Sequence, residues 1–323
     1  MPADFILKLI DQPEDMTQVE ELQALVWSSL GNTEVIPAHM LLAAVHNGGV
    51  LIGAYAGSGE EFMDSEDEPG SSGPQTSNLL GIVFGFPGFY HTPDGPRLKH
   101  YSHLLGVNPA VRNQGIGFAL KRAQWQVVRH QGIDLINWTY DPLLSRNARL
   151  NIAHLGAVCS TYRRNEYGEL RDSLNTGLPT DRFQVDWWVN SQRVRHRMSR
   201  QARRPLHLTH YLEANIPILS EAVIQEDGWP RPGQPSFPLD NLAQAGDMLL
   251  LEIPADFQDL RRAKPGLAYE WRMHGRLVFE ALFEQGYLVT DFIHQPAPQN
   301  EPPGPASHRA RSFYVLSFGE AQL

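Results

Sequence analysis

The chain has 323 residues, of which 42% are hydrophobic, and a formal net charge of −9 at pH 7. This length exceeds that of a typical domain, so we expect two domains or one domain with a large extension. The acidic balance argues against a nucleic-acid-binding protein, because binding to a phosphate backbone needs an excess of basic side chains.

Targeting signals are also missing from the sequence. No apolar run reaches the ~20 residues that span a bilayer, and the first residues lack the basic and apolar regions of a secretory signal. A single cysteine, Cys159, excludes an intrachain disulfide and fits a reducing compartment. Because Cys159 follows a short apolar run, we expect it to be buried rather than nucleophilic. We therefore expect a cytoplasmic protein that does not bind membranes.

The residue pattern up to position 107 predicts strands and helices, each identified by its hydrophobic period and its turn residues. The first helix begins at Pro13, and its apolar stripe consists of Met16, Val19, Leu22, Leu25 and Val26. Residues 57–78 are acidic, rich in Ser and Gly and poor in large apolar side chains, which predicts a flexible hairpin insertion. The predicted strands are 5–10, 50–56, 79–86 and 100–107, and a second helix covers 38–47.

A glycine-bearing turn joins the strand that ends at Val107 to the next predicted helix. The turn carries Arg112, Gly115 and Gly117, and apolar residues at helical spacing follow. The first amides of a helix have no intrahelical partner and lie at the positive end of its dipole. Glycines let such donors approach an anion without a Cβ in the way. The turn therefore predicts a site for a phosphate or pyrophosphate.

This turn has three other interpretations. A Walker A loop needs a Lys followed by Ser or Thr, and the turn supplies neither. A dinucleotide fingerprint needs a third glycine where Leu120 stands, and the acid at the right distance, Asp134, opens the next strand instead of closing it. An ordinary strand-to-helix turn remains the third alternative.

Further strands and helices are predicted beyond this turn. A helix over 145–155 ends at Gly156. The six arginines between Arg193 and Arg204 predict a solvated strand end and linker, with a role in binding phosphates or a partner as the alternative. Strands are predicted at 134–140, 158–164, 183–189, 248–253, 287–294 and 312–318, and a long helix at 267–285.

The spacing Arg-x-x-Gly-x-Gly after a Val-x-Pro strand end resembles the acyl-CoA loop of the GCN5-related N-acetyltransferase (GNAT) superfamily. The order of elements over about residues 4–190 resembles the same fold. The resemblance implies an α/β (α+β) fold with a mixed, mostly antiparallel sheet. Its fourth and fifth strands would be parallel and splayed around the cofactor. It also implies a GNAT acyl-CoA-binding catalytic domain over residues 1–190.

The remainder, residues 191–323, is predicted as a smaller α/β extension. Its strand–helix–strand–strand order looks like a degenerate copy of the second half of the first domain, without the glycine loop. The sequences at 138–151, 271–272 and 286–287 resemble a poorly characterised two-part branch of the superfamily. That branch is associated with enzymes acting on N-acylated amino acids, which makes an amino acid a conceivable acceptor.

The resemblance assigns residues to the acyl-CoA site. Residues of the fourth strand would hydrogen-bond the pantetheine and supply an amide to the thioester oxygen. The loop would surround the pyrophosphate. Two asparagines lie near the start of the helix after the fifth strand. The predicted cofactor-binding residues are Leu105, Gly106, Val107, Arg112, Asn113, Gln114, Gly115, Ile116, Gly117, Phe118, Asn147 and Asn151.

The catalytic candidates are less clearly marked. The strand offers His100 and His103 as bases, with a surface or structural histidine as the alternative for each. The alternation of the strand predicts that His103 shares a face with Leu105 and Val107. Tyr140 and Asp141 end the fifth strand, where ligands collect, and Asp141 before Pro142 equally fits a turn residue. The family often has a tyrosine acid at the position of Ile152, so the thiolate has no assigned proton donor. Tyr162, Tyr140 or water are the substitutes.

We therefore expect an enzyme of the N-acyltransferase class. It would transfer an acyl group from acetyl-CoA to a small amine by direct attack in a ternary complex. The alternatives are a non-catalytic acyl-CoA-binding or regulatory protein and a succinyl-CoA-type transferase. No metal is expected, because the paired histidines His207 and His210 lack nearby acids. The extension is expected to cover one side of the acceptor cleft or to form a homodimer contact.

Overall fold

The computed structural model describes residues 4–27, 35–57, 78–168, 178–199, 205–297 and 310–319. These residues adopt a mixed α/β fold with mostly antiparallel strand pairing, as predicted. They group into two compact units, Met1–Ile136 and Asn137–Leu323. The division between these units does not coincide with the domain boundary predicted at residue 190, which stays a prediction. Most of the predicted insertion at 57–78, including the acids at 60–68, falls outside the described residues.

The length and hydropathy of the helices decide whether any of them could span a membrane. Within the described part of the chain, every helix is too short or too polar to cross a membrane.

The first unit contains a four-stranded antiparallel sheet in the order β1-β2-β3-β4. The core on one sheet face includes Met16, Val19 and Leu22 of the predicted stripe and Leu41 of α2. Leu25 of the predicted stripe is exposed instead. Burial of each such side chain contributes about 1.5–3 kcal/mol. The elements are β1 (Phe5–Leu9), α1 (Met16–Trp27), α2 (Ala38–His46), β2 (Val50–Ala56), β3 (Leu79–Thr92), β4 (Gly95–Val107) and α3 (Ile116–His130).

The hairpin of β3 and β4 contains a β-bulge. Phe84 pairs with Leu104, but Phe86 pairs with Tyr101, so two steps along β3 correspond to three along β4. A bulge of this kind breaks the alternation of side chains between the faces of a strand. It therefore changes which residues of β4 share a face.

The second unit contains strands in the order β5-β7-β6-β12-β13-β11-β8. Its elements before residue 225 are β5 (Leu135–Tyr140), α4 (Ser145–Ala148) with a π-helical turn (Arg149–His154), β6 (Val158–Arg163), β7 (Arg182–Trp188), α5 (Gln192–Met198), α6 (Leu208–Glu213), β8 (Ile218–Ser220) and β9 (Val223–Ile224). The later elements are β10 (Pro230–Arg231), β11 (Met248–Pro254), α7 (Phe257–Ala263), α8 (Pro265–Glu284), β12 (Tyr287–Gln295) and β13 (Arg311–Phe318).

A strand–helix–strand–strand arrangement occurs twice in this unit. β7 lies between β5 and β6, and β13 lies in the same way between β11 and β12. The two halves meet where β6 pairs with β12 in antiparallel fashion, at Cys159 and Val289. Cys159 is buried there, as predicted. The second half thus has the strand order of a copy of the first, which is the arrangement predicted for the extension.

The arginine segment differs from its prediction. Residues 192–198 form helix α5, and Arg193 donates from Nε to the carbonyl of Gly156 at 2.9 Å. Arg197 pairs with Asp291 at 3.0 Å. The prediction of a solvated strand end and linker is therefore wrong for these residues, because their partners lie far away in sequence. Arg200, Arg203 and Arg204 are outside the described part of the chain.

Candidate functional site

The loop between β4 and α3 is held in an unusual backbone conformation. After β4 the Asn108 side chain accepts a hydrogen bond from the amide of Ala110 at 3.0 Å and starts a single 3-10 turn. Asn113 and Gly115 then adopt left-handed conformations, with φ of 66° and 86°. A Cβ on Gly115 would meet no atom within 4 Å, so the constraint on this position is conformational rather than steric.

The N-terminus of α3 presents backbone donors at this loop. The amide of Ala119 donates to the carbonyl of Gly115 at 3.0 Å, which is the first helical hydrogen bond at this end. The preceding amides of Ile116 and Gly117 have no helical carbonyl to reach. A Cβ on Gly117 would lie 3.8 Å from Leu105 Cδ2 and 3.9 Å from Val107 Cγ2. The loop end of the helix thus packs beside the end of β4.

Arg112 ties the loop to the strand. Its Nε donates to the carbonyl oxygen of Val107 at 3.2 Å. Among the described residues, its two Nη groups have no hydrogen-bond partner. A guanidinium fixed at Nε with both Nη groups available is suited to contact a phosphate. The side chain therefore closes the loop and also adds a positive charge to the helix end.

Backbone alternation orients the amides at the end of β4. The Asn108 amide donates to the carbonyl of Leu80 on β3 at 2.9 Å. The backbone N–H and C=O groups of successive residues in a strand point to opposite sides, so the amide of Gly106, two residues earlier, also faces β3. The amides of Leu105 and Val107 therefore face away from β3, as does the Val107 carbonyl that Arg112 contacts. A ligand that bound on that side of β4 would meet these two amides.

The bulge in β4 corrects the prediction for His103. Its ring lies 6.3 Å from the ring of Phe84 and 6.0 Å from those of Phe86 and Tyr101. This face is opposite to that of Leu105 and Val107, which contact α3. The predicted shared face is therefore wrong, because the alternation used for it assumed a regular strand. His103 remains exposed, and partial desolvation lowers its pKa, so the imidazole is neutral near pH 7.

His100 belongs to a buried polar network and not to an open surface. Its Nε2 lies 3.2 Å from Gln124 Nε2 of α3, while Nδ1 is buried without a hydrogen-bond partner. Lys121 donates from Nζ to Ser102 Oγ at 2.8 Å and to Gln124 Oε1 at 3.1 Å. Burial, with the Lys121 charge second, lowers the pKa of His100 to about 3. This network fastens α3 to β4 below the glycine loop.

The candidates at the end of β5 are buried in the second unit. Tyr140 and Tyr314 share a hydrogen bond of 3.1 Å between their hydroxyls, and Tyr314 donates to the carbonyl of Pro142 at 2.7 Å. Asp141 accepts from Arg272 Nη2 at 2.5 Å and from the Leu143 amide at 2.9 Å. Burial alone would raise the pKa of Asp141, but the Arg272 guanidinium outweighs it and the pKa is lowered. Asp141 is thus an ionised partner of a buried arginine.

Tyr162 also has a fixed partner. Its hydroxyl donates to Asp181 Oδ2 at 2.8 Å, and Arg276 contacts both oxygens of the same carboxylate at 2.9 and 2.7 Å. Burial and the neighbouring carboxylate raise the pKa of Tyr162, although the Arg272 charge opposes them. Loss of the proton from this tyrosine would remove its hydrogen bond to Asp181 and place two negative charges side by side. Its catalytic role, like that of Tyr140 and Asp141, stays a prediction.

The helix after β5 widens into a π-helical turn. The Leu155 amide donates to the carbonyl of Leu150 at 2.9 Å, five residues back. Asn151 is buried in this turn, Asn147 is half-buried, and Ile152 is fully buried in the core. The position where the family has its tyrosine therefore belongs to the hydrophobic core of this chain. The cofactor role of the two asparagines stays a prediction.

Solved structures similar to this chain are acetyltransferases. Arabidopsis thaliana NAA60 in complex with acetyl-CoA is 15% identical with a TM-score of 0.43, and the match covers 58% of this chain and 100% of that one. The NatC complex bound to Gag peptide and CoA is 14% identical with a TM-score of 0.39, covering 57% and 98%. The Escherichia coli ribosomal-protein-S18-alanine N-acetyltransferase is 11% identical with a TM-score of 0.38, covering 58% and 94%.

The structures found by this comparison are GNAT acetyltransferases. This is the family that the sequence predicts. No protein-family profile matches the sequence, and no curated protein matches it. We therefore infer a function from the residues of the loop and not from these distant likenesses.

Two features near the loop are not apparent from the sequence. A Cβ on Gly106 would lie 2.9 Å from the ring of Trp27, so this glycine allows the indole to pack directly on β4. The second feature is the buried network of Lys121 and Gln124, because both residues look like ordinary helix formers in the sequence. In the described ranges no group of three or more His, Cys, Asp or Glu side chains is placed to hold a metal ion.

Proposed function

We propose that the chain is an acyl-CoA-dependent N-acyltransferase with acetyl-CoA as its default donor and a small amine as its acceptor. The observation that carries this proposal is the loop at the start of α3. It combines a left-handed Gly115, the amides of Ile116 and Gly117, and an arginine anchored at Nε. Such a loop offers backbone donors, a helix dipole and one positive charge to a pyrophosphate.

The pantetheine of the donor would lie along the end of β4. Leu105 and Val107 direct their amides away from β3, and a pantetheine arm carries amide carbonyls that accept such bonds. One of these amides would also polarise the thioester carbonyl and stabilise the oxyanion that forms on it. The donor thus uses backbone groups, which explains why few conspicuous side chains mark this site.

The reaction is a direct transfer between two bound substrates. The neutral amine attacks the thioester carbonyl carbon, a C–N bond forms, and the C–S bond breaks to release CoA as a thiolate. The amine loses its proton to a base, and the thiolate takes a proton from water or another donor. Holding both substrates together supplies much of the rate enhancement.

His103 is the base we assign to this reaction. Of the two histidines of β4 it is the exposed one, whereas His100 is fully buried. Its lowered pKa leaves the imidazole neutral and able to accept a proton near pH 7. The other candidates are less suited, because Asp141 is ion-paired with Arg272 and Tyr162 donates to Asp181. With Ile152 in the core, water is the simplest proton donor for the thiolate.

Two alternatives remain as outcomes of the test. A non-catalytic acyl-CoA-binding protein is favoured by Ile152, which is fully buried where the family has its tyrosine acid. A succinyl-CoA-type transferase keeps the chemistry and changes the donor. An amino acid stays among the acceptors to be examined.

The test is a free-thiol assay with acetyl-CoA and succinyl-CoA against a panel of amines and of D- and L-amino acids. Thiol release that depends on the acceptor supports the proposal and identifies the donor. CoA-dependent thermal stabilisation without turnover on any acceptor supports the binding protein instead. No effect of CoA on stability together with no turnover overturns the proposal. An inactive Gly117→Leu variant beside an active Gly117→Ala variant assigns the activity to this loop.

A further inference from the structure

A cavity of about 320 Å³ opens in the second unit, beside the ends of two parallel strands. β8 and β11 run parallel, with Ile218 opposite Leu250, and the cavity residues Glu221 and Pro254 stand at or just after their carboxyl ends. Ligands of open α/β sheets collect outside the carboxyl ends of such strands. The volume is at the lower end of the range for small-molecule sites.

The cavity wall carries more negative than positive charge. Glu221, Glu252 and Asp256 line it together with one cation, Arg311. Glu252 is 4% exposed and accepts Nε and Nη2 of Arg311 at 2.7 Å each, and also the Ala222 amide at 2.8 Å. The Arg311 charge is therefore compensated by Glu252. Two carboxylates remain in excess.

The two remaining carboxylates keep oxygen atoms available. Glu221 accepts Arg311 Nη2 at one oxygen, at 2.7 Å, and its side chain is 56% exposed. Asp256 accepts the Asp259 amide at Oδ1, at 2.9 Å. In the part of the chain that the structure describes, Glu221 Oε2 and Asp256 Oδ2 have no hydrogen-bond partner. Each is a free acceptor on a residue that lines the cavity.

The rest of the wall is apolar and aromatic. Trp229, Ile224, Ile253 and Leu260 line the same cavity. An indole face attracts a cation and also packs against an apolar body. A wall that joins free carboxylate oxygens to an indole and aliphatic side chains fits a ligand with an ammonium group and an apolar part.

We propose that this cavity binds a small organic ammonium ion with an apolar body. All residues of the cavity belong to the second unit, and the loop belongs to the first. The carboxylates of Glu221 and Asp256 accept the ammonium N–H groups, and Trp229 contacts the apolar part. The inference does not depend on acyl transfer.

The test is calorimetric titration of the full chain, without CoA, with three probes of similar shape. 2-Phenylethylamine carries the ammonium, 2-phenylethanol is its neutral analogue, and 3-phenylpropionate is an anion. We expect the amine to bind at least tenfold more tightly than either of the others. Failure of the amine to bind, or equal binding of the alcohol, overturns the proposal.

Variants then assign the binding to the two carboxylates. The double variant Glu221→Gln and Asp256→Asn should lower the affinity for 2-phenylethylamine at least tenfold, and Asn keeps the helix cap that Asp256 provides. The matched control is Glu226→Gln, which neutralises an exposed acid that does not line the cavity. The control should bind as the wild type does. An equal loss in the control would attribute binding to bulk charge and overturn the assignment.

Discussion

The buried His100 makes the stability of the first unit depend on pH. Its imidazole is fully buried against Gly85, where an added Cβ would lie 2.3 Å from Nε2. Its hydrogen-bond neighbour in the network is Gln124, which also accepts from Lys121, and burial lowers the pKa of Lys121 as well. Burial and the nearby Lys121 therefore both oppose a positive charge on His100.

The size of the effect follows from the two pKa values. In the unfolded chain His100 titrates near pH 6.5, whereas in the folded chain its pKa is lowered to about 3. Above pH 6.5 both states hold a neutral ring, and the residue adds no pH dependence. Between pH 6.5 and pH 3 the unfolded state takes up the proton and the folded state does not, so stability falls as the pH falls. At roughly 1.4 kcal/mol per unit, the loss at pH 5 is about 2 kcal/mol.

The assay compares the wild type with His100→Gln, which keeps a side-chain acceptor and does not titrate. Urea unfolding is followed by tryptophan fluorescence at pH 7 and pH 5. The wild type should lose about 2 kcal/mol more than the variant between these two pH values. Contributions from other titrating groups cancel in this comparison. Equal losses in both proteins would refute the account of His100 as a ring kept neutral by burial.

Three further predictions concern the two units. Arg112→Ala should weaken CoA binding about tenfold, since it removes one charge-assisted phosphate contact, whereas Arg97→Ala, at an exposed arginine, should leave the Kd unchanged in the same titration. Asp141→Asn should lower the free energy of unfolding by about 3–5 kcal/mol, because it leaves the Arg272 charge buried without a partner, as measured by urea unfolding. If His103 is the base, kcat/KM should decrease as the pH is lowered through a pKa below 6.5, because the ring becomes protonated. His103→Gln should abolish that inflection, and a variant with the same pH profile as the wild type would exclude this role.

Local sequence signals predicted the elements around the loop well. The strand ending at Val107 and the helix that starts beyond Gly115 are both present, because period and turn residues act over a few positions. The same logic failed at His103. A bulge adds one residue to β4 and moves this side chain to the other face, and nothing in a run of alternating residues marks where a bulge will occur.

Contacts between distant residues account for the rest of what the sequence could not show. The sequence gives Asp141 as a candidate for the active site but does not reveal its partner Arg272, which lies 131 positions away. Arg193 and Arg197 looked solvated because their acceptors are likewise remote in sequence. The cavity at Glu221 and Asp256 forms only when β8 and β11 pair. Such sites depend on tertiary structure, which pattern and propensity do not encode.

The most direct test of the central claim is calorimetric titration of CoA and pantetheine into the wild type, Gly117→Ala and Gly117→Leu. A Cβ on Gly117 makes only ordinary contacts with Leu105 and Val107, so the alanine variant should fold and bind normally. A leucine would fill the space beside the end of β4. We expect CoA to bind the wild type and the alanine variant, and to bind the leucine variant at least tenfold more weakly. Pantetheine, which lacks the pyrophosphate, should bind all three proteins weakly. Absence of CoA binding to the wild type, or equal affinity for pantetheine, would contradict it.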